Sequence, residues 1–381
     1  MKWTQKCHEF DKIAEKLLKS ETTYRLWGAA QLGKDFCEKL GNKFKIVQIV
    51  DGDSNKHGQQ LNDIEIESPD SLIYDENSIV VVTCSYYDEN RPQIEKLGYT
   101  HMKSMFYYED FYILYDLYTS NYLKSKRVDF SLTEKCTLKC KKCNMFMTHF
   151  KNPQNQLVED VIGDIDAYFS VVDYVKVLNL LGGEPFLYPE LKKVLDYITE
   201  YYRNRIGQVI IFTNGTIVPG IDVLESIKKC SAIVQFSDYT HVVPYEKKLT
   251  EFRRVLESYG IEQYTMPWES WGDFGFPENP NTITEDTKAL EFFEQCKAPF
   301  RGVWKNRVYF CHLETSAVRA GIYTDDKNDY FELQQSDEVD VKKMFCEFDY
   351  GYSDKGFITF CKVCRGCDCV NDLTVPIAEQ C

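Results

Sequence analysis

The sequence predicts an α/β protein built from repeated strand–helix units, and three observations carry that prediction. Strand-sized apolar runs recur along the 381 residues, among them Ser78-Ile-Val-Val-Val-Thr83 and Tyr174-Val-Lys-Val-Leu-Asn-Leu-Leu181. Glycine or polar residues follow such runs, and stretches of helical spacing come next, as parallel β/α folds require. Fifteen cysteines are present, and eleven of them fall in two groups, one at 136–143 and one from Cys296 to Cys381. Clustered thiols in a chain of this kind favour metal over disulfides.

Composition sets the outer bounds. Hydrophobic residues make up 44% and aromatic residues 14%, enough for real cores, and the length allows two or three domains. The net charge of −14 leaves no basic surplus to neutralise phosphates, so no nucleic-acid partner is expected. No apolar run is long enough to span a membrane. Residues Met1 to Phe10 lack the apolar stretch of a signal peptide, so a cytoplasmic protein is expected.

Residues 1–106 read as a Rossmann-like domain. Tyr24-Arg-Leu-Trp27 is a short strand that meets Gly28-Ala-Ala-Gln-Leu-Gly33, then a helix from Lys34 to Leu40. Lys45-Ile-Val-Gln-Ile-Val50 is a second strand ending at Asp51-Gly-Asp53, and Ile79–Thr83 is a third. Strand, glycine turn, helix, strand and acidic end is the Rossmann order. Ala30 fills the place of the middle glycine in G-x-G-x-x-G, a small obstruction to a pyrophosphate at the helix start. Nucleotide binding through Gly28, Gly33, Asp51 and Asp53 is one reading; a domain without ligand, used for docking, is the other. The order Gly28, Gly33, Asp51, Asp53, Gly58, Ile64, Pro69 resembles small nucleotide-sugar-binding domains that begin some sugar-modifying enzymes.

Residues 107–126, rich in tyrosine, are expected to form a linking helix between domains. From 127 to 285 strands and helices alternate again. Val128–Leu132, Tyr174–Leu181, Gln208–Thr213 and Ala232–Ser237 read as strands. Pro189–Asn204, Ile221–Lys229 and Thr250–Tyr259 read as helices. Such repeats suggest a full or partial barrel with its function at the C-terminal strand ends.

The run Cys136-Thr-Leu-Lys-Cys140-Lys-Lys-Cys143 sits just past the first of these strands. Three thiolates on one tight loop can hold three irons of a cubane and leave the fourth open. Zinc is the alternative, with His149 as a fourth ligand. Lys135, Lys139, Lys141 and Lys142 either offset cluster charge or form a solvated basic turn. Polar groups stand at the later strand ends: Gly182-Gly-Glu-Pro185, Thr213-Asn-Gly215 and Ser237-Asp238.

Residues 286–381 hold the other thiols. Cys296 and Cys311 flank two short strands around Lys305-Asn306, which a hairpin would bring together. Cys361 and Cys364 form a C-x2-C pair, so four thiolates suit a second cluster, with Cys367 as a substitute and structural zinc as the alternative. Cys346, Cys367, Cys369 and Cys381 are the thiols available for a third.

Taken together, these motifs resemble the radical S-adenosylmethionine (radical SAM) family. The resemblance implies a partial (β/α)6-type TIM barrel core with a C-terminal iron–sulfur extension of the twitch or SPASM kind. It implies a SAM-binding [4Fe-4S] cluster on Cys136, Cys140 and Cys143, and one auxiliary [4Fe-4S] cluster on Cys296, Cys311, Cys361 and Cys364. SAM would be met by Asn144, Met145 and Phe146 at the adenine and by Gly182, Gly183, Glu184 and Pro185 at the amino-acid end. Thr213, Asn214, Ser237 and Asp238 complete that set. The implied chemistry is reductive cleavage of SAM to a 5′-deoxyadenosyl radical, fed by a flavodoxin- or ferredoxin-type reductant. A sugar or nucleotide-linked sugar is the expected substrate, through oxidation, epimerisation or dehydration; a ribosomal peptide or protein is the alternative. A non-enzymatic iron–sulfur scaffold leaves the strand-end motifs without a purpose. No spacing singles out a radical-quenching residue among Cys230, Glu269 and Tyr309.

Overall fold

The computed structural model describes residues 1–296, 300–333, 340–367 and 370–381. It divides into two compact units, His8–Tyr122 and Met1–Cys7 with Leu123–Cys381.

The first unit holds helices α1 (Asp11–Leu18), α2 (Gln31–Leu40), α3 (Tyr87–Lys96) and α4 (Tyr108–Ser120). Its strands are β1 (Thr23–Trp27), β2 (Lys45–Val50), β3 (Gln60–Leu61), β4 (Ile64–Glu67), β5 (Ser78–Val82) and β6 (Met105–Tyr107). The sheet order is β3-β4-β2-β1-β5-β6, with β4-β2-β1-β5-β6 all parallel. Crossing from β1 through α2 to β2, with β5 on the other side of β1, is the Rossmann half-fold. The continuous apolar run of β5 is explained by burial on both faces: all five of its residues are buried.

The expected boundary at 106 moves to 122, and the expected linking helix is part of this unit's core. Its α4 buries Phe111, Ile113, Leu114 and Leu117. Phe111 meets Tyr24, Phe36 and Phe44 edge-on at centroid distances of 5.9, 5.3 and 5.4 Å. That aromatic packing closes one face of the first sheet, so the tyrosine-rich segment is core and not connector.

In the second unit β7 (Lys124–Thr133), β8 (Tyr174–Gly182), β9 (Ile206–Thr213), β10 (Ile233–Ser237) and β11 (Gln263–Met266) run parallel in sequence order. Between and after them lie α5 (Val158–Val171), α6 (Leu191–Tyr197), α7 (Ile221–Cys230) and α8 (Glu246–Tyr259). The helix expected over 189–204 is shorter. After α6 the chain widens into a π turn, Ile198–Tyr202, and tightens into a 3-10 turn, Arg203–Arg205. There Arg203 donates to the Cys230 carbonyl at 2.6 Å, Arg205 donates to the Phe169 carbonyl at 2.7 Å, and Tyr202 stacks on Phe169 at 4.5 Å.

The remaining elements are β12 (Trp271–Gly272), α9 (Asp286–Gln295), β13 (Gly302–Trp304), β14 (Arg307–Tyr309), α10 (His312–Arg319), β15 (Tyr330–Glu332), α11 (Val341–Asp349) and β16 (Thr374–Val375). A sixth parallel strand, β13, joins beside β7 through Gly302↔Asp129 and Val303↔Phe130. The sheet therefore reads β11-β10-β9-β8-β7-β13-β14-β15. Six parallel strands with helices between them make the partial barrel expected of the sequence. The predicted hairpin is present: Val303 faces Val308, and Lys305 and Asn306 take φ of +54° and +58°. Both central residues at positive φ are what a type I′ connection needs. The expected division at 285 is absent, because the cysteine-bearing hairpin is built into the barrel's own sheet.

Candidate functional site: a cysteine loop at the strand ends

Strand β7 aims the cysteine loop. Its Phe130 packs against Tyr168 of α5 at 6.1 Å, so by alternation Asp129 and Ser131 face the opposite side of the sheet. Past Thr133 the chain turns, and the Gly182-Gly-Glu-Pro185 segment at the end of β8 lies against it. Gly183 donates its N–H to the Thr133 carbonyl, and Glu184 donates to the Lys135 carbonyl, both at 2.8 Å. A Cβ on Gly183 would stand 2.2 Å from the Lys135 oxygen, and one on Gly182, at φ +147°, 2.5 Å from the Thr133 oxygen. Both glycines are thus demanded by the chain's own backbone next to Cys136.

The three thiols are gathered with Leu138 and Ala378 in one cluster. Burial pushes Cys136 up to about 12 and Cys140 up to about 11, and it raises Cys143 as well. Metal binding works against that push by taking the proton. N–H groups face the sulfurs, as a set of anionic ligands needs. Leu138 N and Asn214 Nδ2 stand 3.5 and 3.7 Å from Cys136 Sγ, and Gln380 Nε2 stands 3.4 Å from Cys140 Sγ. Cys143 is met by the backbone amides of Met147, Met145 and Phe146. Among the described residues no three acidic, His or Cys side chains converge on a single ion. A cubane asks something different, since each thiolate takes its own iron. These residues therefore fit a cluster. His149 points its Nε2 at Glu278, 3.3 Å away.

Glu184 is fully buried at 0% exposure. Its Oε1 accepts the Thr213 hydroxyl at 2.8 Å and the Phe186 amide at 3.2 Å; its Oε2 accepts the Asn214 amide at 2.9 Å. Burial pushes its carboxyl up to about 7 against those bonds. Asn214 in turn donates to Thr137 Oγ1 at 3.1 Å, and the Thr137 and Thr216 hydroxyls meet at 2.6 Å. Loop 136–143, the end of β8 and the end of β9 are thereby one hydrogen-bonded unit. Asp238 stands apart from it, at the end of β10, where it accepts from Thr240 N and Oγ1 at 3.0 and 2.7 Å. Asn144 and Met145 turn toward α10: Asn144 Nδ2 lies 3.5 Å from His312 Nε2, and Ser316 Oγ lies 3.5 Å from Met145 Sδ. Thr137, Thr216, His312 and Gln380 escaped the sequence reading; only Thr216, directly after Thr213-Asn-Gly215, carried a local signal.

Residues 130–237 match the Radical SAM superfamily. That segment is a radical SAM domain. Residues 23–105 match a second family, described as C2185-like, N-terminal. Nothing among curated proteins matches. Among solved structures, hexahistidine-tagged anSMEcpe with bound AdoMet is 15% identical at a TM-score of 0.30, over 37% of this chain and 42% of that one. Native anSMEcpe with bound AdoMet is 12% identical at a TM-score of 0.41, over 65% and 91%. BtrN in complex with AdoMet and 2-DOIA is 16% identical at a TM-score of 0.39, over 66% and 98%. The chain thus spans less than half of the first of these.

The cysteine loop lies within that matched segment and has the donors for a [4Fe-4S] cluster. A second group of thiols lies in the same unit. Cys296, Cys311, Cys361, Cys364 and Cys367 line one apolar cavity. Cys296 Sγ and Cys367 Sγ are 3.8 Å apart, and Gly366 N stands 3.2 Å from Cys364 Sγ. Burial pushes Cys311 up to about 11 and Cys364 up to about 12, and raises Cys361 further. Cys346 is elsewhere, buried in α11, and Cys381 lies beside the first loop, its N–H on the Lys139 carbonyl at 2.8 Å. Cys369 lies outside the described residues. Cys230 is buried in α7, and Tyr309 donates to Asp325 at 2.7 Å, so neither stands open to a substrate.

In the first unit the nucleotide residues are differently committed. Gly28 takes φ +118° with a would-be Cβ 2.8 Å from the Thr83 oxygen, and one on Gly33 would stand 2.3 Å from the Gly28 oxygen. Asp51 is occupied rather than free. Its Oδ2 accepts Ala29 N at 2.7 Å and Lys56 Nζ at 2.9 Å, and its Oδ1 accepts Asp53 N at 2.9 Å. Against the upward push of burial, these bonds hold its carboxyl below the usual range. Asp53 caps Ser54–Lys56 through Asn55 and is more exposed than Asp51.

Proposed function

We propose that the protein abstracts a hydrogen atom from a C–H bond of a sugar or nucleotide-linked sugar, leading to oxidation, epimerisation or dehydration. Held by Cys136, Cys140 and Cys143, a [4Fe-4S] cluster given an electron by a flavodoxin- or ferredoxin-type reductant supplies, with SAM, the 5′-deoxyadenosyl radical for that step. The five-thiol cavity has the donors for an auxiliary cluster, with Cys296, Cys311, Cys361 and Cys364 as ligands. In an oxidation the substrate gives up one hydrogen atom, then one proton and one electron, and that cavity is where the electron would go.

One observation carries the substrate class. On the sheet face away from α5, Asn179 Oδ1 at 0% exposure and His312 Nδ1 at 8% have no partner among the described residues. Asn179 donates to Asp129 at 2.6 Å, the Arg127 charge is felt by both His312 and Tyr264, and Tyr264 donates to Gln235 at 2.6 Å. Burial, then the Arg127 charge, lowers His312 to about 4, so its ring is neutral near pH 7. A buried acceptor and a buried neutral ring nitrogen each cost stability unless something gives or takes a hydrogen bond there. A hydroxyl does both, and a sugar carries several.

Full-length protein reconstituted anaerobically with iron and sulfide, then given SAM, dithionite and a panel of nucleotide sugars and peptides, tests the reading. A nucleotide sugar should stimulate 5′-deoxyadenosine formation and pass deuterium from carbon into it. Stimulation by peptides alone overturns the sugar assignment, and no 5′-deoxyadenosine at all overturns the enzyme.

A further inference from the structure

The segment Ala378–Cys381 is laid across the cysteine loop as an extra strand. Cys140 and Gln380 form an antiparallel bridge. Cys381 N donates to the Lys139 carbonyl and Lys141 N to the Glu379 carbonyl, each at 2.8 Å. Ala378, at 0% exposure, packs against Leu138 and Cys140. Glu379 also pairs with Lys141.

Within that strand Gln380 does something its neighbours do not. Its side-chain oxygen accepts the Lys139 N–H at 2.8 Å, while its amide nitrogen stands 3.4 Å from Cys140 Sγ and donates to the Ala378 carbonyl at 2.6 Å. One amide therefore fixes the loop backbone before Cys140 and aims an N–H at that cysteine's sulfur. Hydrogen bonds to cysteine sulfur stabilise the more negative, reduced state of an iron–sulfur cluster and raise its potential.

We propose that Gln380 is a positioning residue that sets the reduction potential of the cluster on the cysteine loop. It does so by donating a side-chain hydrogen bond to the Cys140 sulfur. The proposal rests on the cluster reading of Cys136, Cys140 and Cys143. Gln380 lies 240 residues from Cys140, so the segment that closes over the loop also tunes what the loop holds.

The test is a redox titration followed by electron paramagnetic resonance on the reconstituted full chain, with iron counted in each preparation. To isolate the signal of the loop cluster, all proteins carry Cys361→Ser and Cys364→Ser. Gln380→Leu removes the donor. Gln380→Glu keeps an oxygen for the Lys139 N–H but faces the sulfur with a carboxylate. The expected result is unchanged iron content and a more negative potential in both, larger for Gln380→Glu. Equal potentials at equal iron content overturn the proposal, and so does loss of iron from both variants, which would make Gln380 a structural clamp only. A parent protein that binds no cubane overturns the cluster reading, and the proposal with it; because the parent is measured first, that failure is distinguishable from a failure of Gln380.

Discussion

Glu184 Oε2 accepts the Asn214 backbone N–H at 2.9 Å, which joins the end of β8 to the end of β9 beneath the cysteine loop. The same carboxylate holds Thr213 and Phe186, so three donors share one fully buried side chain. Glu184→Ala strands those donors and should cost about 3 kcal/mol of stability. Glu184→Gln, which turns an N–H toward at least one of them, should cost less. Denaturant midpoints of the unreconstituted protein check both, and iron uptake should fall in the same order.

Gly183→Ala places a methyl 2.2 Å from the Lys135 oxygen and 3.1 Å from the Cys136 Cβ. Backbone on one side and a ligand on the other leave no flexible group to give way. The expected outcome is a loss of about 1–3 kcal/mol and reduced iron on the loop, since overpacking forces backbone to shift. Iron content against a Gly163→Ala control, whose Cβ meets nothing within 4 Å, separates this from a general effect of added methyls.

Asp129 gives a pH signature. Burial pushes its carboxyl up to about 6, with the Asn179 amide pulling the other way. A carboxyl raised on folding contributes stability that is complete below the ordinary carboxylate range and is lost as pH rises through about 6. Asp129→Asn removes that dependence. The wild type minus the variant should therefore lose about 2 kcal/mol between about pH 4 and about pH 8. Urea midpoints at several pH values would show it; a flat difference would contradict the burial assignment.

The C-terminal thiols should be separable from the loop. Cys361→Ser with Cys364→Ser should lower iron by about four per chain. Cleavage of SAM without substrate should persist, and formation of oxidised product should stop. Cys346→Ser, which alters a thiol buried in α11 away from the cavity, should keep its iron. Iron and acid-labile sulfide counts alongside product analysis decide between these outcomes.

The sequence made β5 legible because its apolar run is buried on both faces, where composition and length speak without context. The cysteine loop was legible for another reason: its three ligands are consecutive in one turn. What stayed hidden depends on distance. Gln380 meets Cys140 across 240 residues, and nothing local to either predicts the pairing. The Asn179–Asp129 bond lies across two strands whose residues read locally as polar interruptions of apolar runs. Helix α4 misled because its aromatics fit a connector as well as a core, and only contact with Phe36 and Phe44 decides. Asp51 looked like a free acceptor because its donors, Ala29 and Lys56, come from separate turns.

The hairpin that leads into Cys311 pairs with the strand that leads into Cys136, through Val303 and Phe130. Cys136 and Cys311 therefore follow strands of one sheet with β13 alone between them, and adjacent strands keep a gauge of about 4.8 Å set by backbone hydrogen bonds. The spacing of those two strands is a constant of the architecture rather than an outcome of closing. In the reaction proposed above, a substrate lying between the two thiol groups would choose only its own orientation. Under that proposal, selectivity for one carbon over its neighbour would reside in where the ligand is pinned, with the strands beneath it already set.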